Sequence, residues 1–537
     1  MLNKCWHGGK HFGTNGKRKE KFDITRLRFV LLGLLVGLMT GTVVSAFRYC
    51  IEVGLRASRQ VYGYLRVTPF VWWHWALLIG FNLVLAGIVA WLLKKEPYIS
   101  GSGIPQVEGQ LAGELEMNWW SILWRKFVGG VLALAPGLFL GREGPSIQLG
   151  ASVGQGLAGG FKLRGTDRRL LIASGSAAGL AAAFNAPIAG TLFVLEEVYH
   201  NFSPLVWLTA LAGAIGSDFI SLNVFGLVPV LHLSYSRSLP VTSYWHLILL
   251  GILLGLLGYL YQRMLLAMPR WYQRLTHLPR AIQGVVPFML LMAVGYFTPN
   301  LLGGGNSLIV GFGQYVPSLL VLLGIFVIRF IFSMISYGSG LPGGIFLPIL
   351  SLGAVIGAVY GVVMNQLGLL PHVYIMNLII FSMAGYFAGI GKAPFTAILL
   401  VTEMVGNLTH LMPLAVLSLT AYLVVDLLGG APIYEALLEQ MTIPKTVAQL
   451  HRPDRLEIPV FVGSSLNGKL VRDMPWPKEA LLIGIRRGER EVIPHGDTLI
   501  REGDTLVLLT DEAQRARVKR RIDAFSAALA TAHKSEP

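Results

Sequence analysis

Glu143 is the residue whose type and setting most demand a chemical role. It lies in Phe139-Leu140-Gly141-Arg142-Glu143-Gly144-Pro145, and neither positions 127–140 nor positions 146–161 hold another ionisable side chain. A carboxylate at membrane depth is costly and by default marks an ion or proton pathway. The flanking glycines let backbone approach a ligand, and Pro145 suits the first turn of a helix. An acid at a helix start is placed to compete with an anion for the same backbone N–H groups, which is the chemistry of a gate.

Two further segments, Gly101-Ser102-Gly103-Ile104-Pro105 and Gly343-Gly344-Ile345-Phe346-Leu347-Pro348, are helix starts framed in the same way. Ser102 could cap the helix that follows or offer its hydroxyl to an anion, and the residues leave both open. Neutral donors and helix ends bind a halide weakly enough to release it, as transport requires. Glu196-Glu197 closes an apolar stretch, where the residues by themselves favour a helix end meeting water. Glu108 and Lys126 form a candidate buried pair near the first segment, and Arg142 reads as scaffold. Trp72, Trp73, Trp119 and Trp120 read as interfacial anchors.

The elements that must position these residues are membrane helices. Of 537 residues, 53% are hydrophobic and 14% charged, against about 25% charged in soluble domains. Candidate spans fall at 29–47, 72–93, 127–140, 171–195, 205–231, 246–268, 282–297, 319–335, 347–370, 375–402 and 411–428. Several are long enough to cross a ~30 Å core, and the short or Gly/Pro-interrupted ones read as broken or re-entrant helices. The net charge of +15 clusters in the first 28 positions and in short loops such as 162–169. That pattern marks a cytoplasmic N-terminus, 1–25, rather than a nucleic-acid surface. The run after it is long for a cleaved leader and reads as a retained helix. Cys5 and Cys50 make neither a disulfide framework nor a metal cluster, and no cofactor motif is present.

From about Thr442 the chain is charged, with alternating segments at 458–462, 481–486 and 505–509 punctuated by Pro and Gly, then an amphipathic helix over 513–527. The expected fold is therefore an all-α polytopic membrane domain, 26–440, followed by a small α+β cytoplasmic domain, 441–537.

The membrane part repeats itself. Asn185-Ala186-Pro187 through Glu196 matches Lys392-Ala393-Pro394 through Glu403 at an offset of 207 (403 − 196), and Pro145…Leu149-Gly150-Ala151 matches Pro348…Leu352-Gly353-Ala354 at 203 (348 − 145). Two halves, roughly 29–232 and 244–430, place a substrate site at their interface near the midplane, lined by broken helices.

The three segments Gly101–Pro105 (GSGIP), Gly141–Pro145 (GREGP) and Gly344–Pro348 (GIFLP) resemble the anion-site signatures of the CLC family of chloride channels and chloride/proton antiporters. The resemblance runs from about 26 to 440 and includes Ala431-Pro432-Ile433-Tyr434. It implies a homodimer in an inverted-repeat fold, each subunit with its own pathway for chloride and protons, in a bacterial inner membrane with both termini cytoplasmic. Carried over by position, Ser102 and Tyr434 would supply hydroxyls to a central chloride, and the N–H groups of Ile345 and Phe346 would complete that site. Glu143 would be the outer gate and proton acceptor, and Glu197 the inner proton-transfer residue that favours an exchanger over a passive channel. A third reading makes the membrane part an anion-responsive sensor acting through its tail. The tail, with Gly468-Lys469-Leu470 and Gly503-Asp504-Thr505-Leu506, resembles RCK C-terminal (TrkA-C type) regulatory domains. That implies dimerisation and, in some cases, a small ligand such as a cyclic dinucleotide.

Overall fold

The computed structural model describes residues 24–441 and 453–527, apart from 228, 232, 234–236, 277, 408–410, 462, 489 and 512–513. Most of the basic N-terminus and the expected junction near Thr442 lie outside the described residues. Among those described, eight helices are long and apolar enough to cross a membrane.

Several helices differ from the apolar runs that announced them. The first extends over Ile24–Val67, past the apolar limit at Phe47. It continues because Arg48 is neutralised in place: its Nε donates to Glu52 at 2.9 Å, its Nη1 to Asn185 at 3.1 Å, and its guanidinium stacks on Phe225. The run at 127–140 belongs to a helix that starts earlier, at Trp119–Leu134. The Asn118 side chain caps it by accepting from the N–H groups of Trp120 and Ser121.

The runs at 171–195 and 375–402 are each two helices. Gly165–Phe184 stops at Asn185 and Pro187–Phe193 follows; Ile375–Gly391 stops at Lys392 and Pro394–Val405 follows. Asn185 and Lys392, 207 positions apart, both take left-handed backbone, φ 54 and 57. The proline two residues later cannot continue the preceding helix. Each half then caps the other. The Glu403 carboxylate accepts from Ile188 N at 3.2 Å and Ala189 N at 2.8 Å, while Glu196 accepts from Phe395 N at 3.3 Å and Thr396 N at 2.8 Å. This reciprocity is the inverted repeat expressed in hydrogen bonds, and it gives both acids a structural role.

Small residues bring the helices behind the site together. Glu143–Gly160 crosses Gly165–Phe184 with Gly150 against Gly175 so close that a Cβ on either would strike the other's carbonyl. In the second half Gly353 of Phe346–Gln366 meets the carbonyl of Ser382. Close backbone approach of this kind is how helices pack without a hydrophobic driving force between them.

The tail is a four-stranded antiparallel sheet in the order β1-β4-β2-β3, with β1 Pro453–Pro459, β2 Ala480–Arg487, β3 Arg490–Val492 and β4 Asp504–Asp511. The first strand starts earlier than the alternation at 458–462 suggested, and the short β3 carried no sequence signal. The helix Arg515–Ala527 covers the sheet, sealing a core of Leu456, Ile458, Ile485, Leu506, Leu508, Val518 and Ile522. The tail meets the membrane domain through Asp454, which accepts from Arg169 Nη2 at 2.7 Å and Arg515 Nη1 at 2.9 Å, and through a contact between Arg520 and Glu114.

Candidate anion and proton site

The three glycine-rich segments converge and are tied by backbone bonds. Gly141 N donates to Gly344 O at 2.7 Å and Gly344 N returns to Gly141 O at 2.6 Å, an antiparallel bridge between the two halves. Gly343 N donates to Gly101 O at 3.0 Å, and Gly101 N to Gly340 O at 3.3 Å. Gly101 and Gly103 have φ of 62 and 94, backbone that a side chain would strain. Gly144 sits so close to Ser102 that a Cβ there would strike its hydroxyl and carbonyl.

Within this knot Glu143, the first residue of Glu143–Gly160, is 0% exposed. Its carboxylate has the amide groups of Glu143 and Leu347 for polar neighbours, at a geometry short of a regular hydrogen bond. Ser102 does not cap the helix after it: Gly103 is the N-cap residue, without a side-chain cap bond. The Ser102 hydroxyl is buried, and among the described residues it has no hydrogen-bond partner. The same holds for the Tyr434 hydroxyl at the start of Ile433–Met441. Buried hydroxyls are normally satisfied, so an unpartnered one at each of these two positions calls for an explanation. Ile345 and Phe346 open the helix Phe346–Gln366, both buried. The Phe346 ring packs on Phe193 at 5.9 Å, which packs in turn on Tyr434 at 6.1 Å.

Glu197 is not a helix end in water. It is 4% exposed, in a π-helical turn over Val194–Val198, the kind of bulge often found at functional positions. The extra residue in that turn separates the fates of two adjacent acids. Glu196 turns to cap the opposite half, while Glu197 points into a region shared with Glu108 and Glu435. Tyr434 is within electrostatic reach of both Glu197 and Glu143.

The expected pair of Glu108 with Lys126 does not form. Lys126 is fully buried and donates to Ile99 O and Gly101 O, each at 2.8 Å, so it holds the Ser102 loop. Glu108 lies 4.0 Å from His200 instead. Arg142 is scaffold as expected, with Nη1 on Glu52 at 2.6 Å and Nη2 toward Ala183 O. Sequence reading missed Arg329. This fully buried cation donates to the carbonyls of Leu301, Gly303 and Gly304 and to Ser351 Oγ, and stacks on Phe139. Its signal was in the repeat: 329 − 126 is 203, the offset already found, and both cations clamp a glycine loop.

The comparisons with known proteins agree with this arrangement. Residues 83–426 match the voltage gated chloride channel family, and residues 455–523 match the TrkA-C domain. The H(+)/Cl(-) exchange transporter ClcA of Salmonella arizonae is 32% identical over 446 residues, covering 81% of this chain and 92% of that protein. The crystal structure of a slow cyanobacterial Cl-/H+ antiporter superposes with a TM-score of 0.73 at 33% identity, covering 77% of this chain and 98% of that one. A CLC-type fluoride/proton antiporter shares the fold, with a TM-score of 0.59 at 22% identity over 75% of this chain and 96% of that one. A membrane domain of two reciprocally capped halves joined at glycine-framed helix starts, and a small sheet domain after it, thus make this chain a member of the CLC family of voltage gated chloride channels that carries a TrkA-C domain.

Proposed function

We propose that the protein exchanges chloride for protons across a bacterial inner membrane, as a homodimer with both termini in the cytoplasm and the tail in a regulatory role. The observation that carries this reading is the fully buried Glu143 carboxylate at the junction of the glycine-rich segments, against Gly141 and the Leu347 amide, with Ser102 packed on the adjacent Gly144. A central chloride would accept from the Ser102 and Tyr434 hydroxyls and from the N–H groups of Ile345 and Phe346. Such a site holds an anion without a full positive charge, so release stays fast. Glu143, ionised, takes the anion's place beside backbone N–H groups; protonated, it loses that attraction and leaves the path open. Burial of Glu197 favours exchange over passive conduction, because a carboxylate withdrawn from water is placed to pass protons rather than to solvate a helix end.

The test is chloride flux from reconstituted vesicles with simultaneous pH recording. Wild type should drive protons against their gradient when chloride runs down its own. Glu143→Gln should pass chloride without moving protons, since an amide cannot carry one. Proton pumping that survived in the variant would remove Glu143 from the gate. A reversal potential indifferent to the pH gradient would assign a passive channel, and absence of anion flux would leave the sensor reading.

A further inference from the structure

A cavity of about 330 Å³ opens beside the gate on the face opposite the tail. The helix Gly165–Phe184 fixes the sides: Arg169 near its start bonds tail residue Asp454, and Asn185 just past its end bonds Arg48 of the cavity wall. Twenty residues at about 1.5 Å each separate the two by ~30 Å. The wall holds Arg48, Arg56, Arg59 and Arg142 against one carboxylate, Glu52. Asp218 also bears on Arg48 but is not part of the lining. Glu143 bears on Arg142 in the same way, so with both acids counted the group has an excess of one positive charge (4 − 3).

Arg48 and Arg142 are both more than nine-tenths buried and share the single Glu52 carboxylate. Arg48 and Arg142 are thus matched by Glu52, Asp218 and, when ionised, Glu143, so the uncompensated positive charge of the wall sits with Arg56 and Arg59. The Nε atoms of Arg59 and Arg142, both donors, have no hydrogen-bond partner among the described residues. Four arginines on the side away from Arg28, which lies near Asp167 at the tail end, also run against the usual bias of membrane proteins, so this cluster is there for a reason other than topology.

The repeat supplies an independent reason. The cavity floor is Gly303-Gly304-Gly305, held by Arg329 as Lys126 holds Gly101-Ser102-Gly103. Gly303 and Gly305 have φ of 90 and 119, matching the left-handed glycines 101 and 103 at an offset of 202 (303 − 101). The Ser102 loop of the first half therefore has a structural counterpart in the second, where Gly304 stands in place of the serine and arginines line the space above it.

We propose that this outer cavity binds a divalent tetrahedral oxyanion, which sits in the mouth of the path and competes with chloride. The space is far larger than one chloride needs, and guanidinium forks match oxyanions two hydrogen bonds at a time. The proposal concerns the same path as the proposed exchange but does not depend on proton coupling: block is read on chloride flux alone.

The test uses the full-length protein in phosphatidylcholine vesicles, with chloride flux measured in sulfate and in gluconate of matched ionic strength. Sulfate should raise the apparent KM for chloride and leave the maximal rate unchanged. Arg56→Gln, at an exposed guanidinium that bonds the Glu52 carbonyl, should weaken sulfate block about tenfold, the loss of a charge-assisted contact. Arg56→Gln/Arg59→Gln should weaken it further, and Arg56→Lys should recover part of it. If phosphatidylglycerol vesicles reproduce the effect without sulfate, the cavity takes a monovalent phosphodiester headgroup and the assignment of a divalent oxyanion is overturned. Sulfate without effect in both lipids, or equal block in wild type and Arg56→Gln, overturns the site. Loss of all flux in Glu143→Gln would count against the exchange reading and leave this one standing.

Discussion

Asp454 is the single point at which the tail's attachment is most open to attack. Its side chain is 3% exposed and serves two guanidiniums, those of Arg169 at 6% and Arg515 at 7%, with hydrogen bonds of 2.7 and 2.9 Å. Asp454→Ala strands two buried cations. Breaking a buried pair costs about 3–5 kcal/mol, because the remaining charge stays desolvated without its partner. At 1.4 kcal/mol per tenfold, a loss of this size shifts the equilibrium for opening β1 away from Arg169 and Arg515 by roughly 10² to 4 × 10³. Hydrogen exchange of β1 and of Arg515–Ala527 should report it directly, as a fall in protection of that order at strand amides paired between β1 and β4. Helix Glu143–Gly160 should keep its protection, since its packing lies within the membrane domain. Arg169→Leu added to Asp454→Ala should recover part of the loss by removing one stranded charge. Protection within threefold of wild type in Asp454→Ala, or equal loss across both domains, would refute the reasoning.

Glu197→Gln should abolish proton movement while chloride flux still responds to pH on the Glu143 side; loss of folding on size exclusion would assign Glu197 a structural role instead. If Ser102 holds the anion as proposed, Ser102→Pro should raise nitrate transport relative to chloride in a competitive flux assay, as the resemblance to the CLC family implies for proline at this position; an unchanged preference would remove Ser102 from selection. In the tail, burial alone would raise the Asp504 carboxyl, but the two-pronged hydrogen bonds from Arg487, at 2.7 Å each, and the Arg501 N–H hold it below its ordinary value. A depressed folded-state pKa contributes stability that is complete above the unfolded value of 3.8 and is lost as pH falls through the folded one. The sheet should therefore loosen in acid on circular dichroism, and Asp504→Asn should be less stable at neutral pH with a flatter acid limb.

Composition and spacing were enough for the membrane class, the repeat and the three glycine-framed segments. Apolar runs, Gly/Pro framing and the offsets of 203 and 207 are local properties that survive in one dimension. They also singled out Glu143, because a lone carboxylate in an apolar stretch is conspicuous without any coordinates. What the chain could not declare was which polar groups meet. Lys126 turned to the carbonyls of Ile99 and Gly101 rather than to Glu108, since a fully buried ammonium takes whatever acceptors the packed loop presents. Arg48 let a helix run on past its apolar limit because Glu52, Asn185 and Phe225 lie within reach only after folding. Glu196 and Glu197 are neighbours in sequence with opposite settings, and a π-helical turn decides between them. The arginine cavity draws its walls from the first helix, from positions 134, 140 and 142, from 225, 229 and 230, and from 302–307 and 347, so it exists only once the two halves close on each other. Side-chain type and local pattern are written along the chain; burial and charge pairing depend on distances between segments, and those the tertiary fold alone sets.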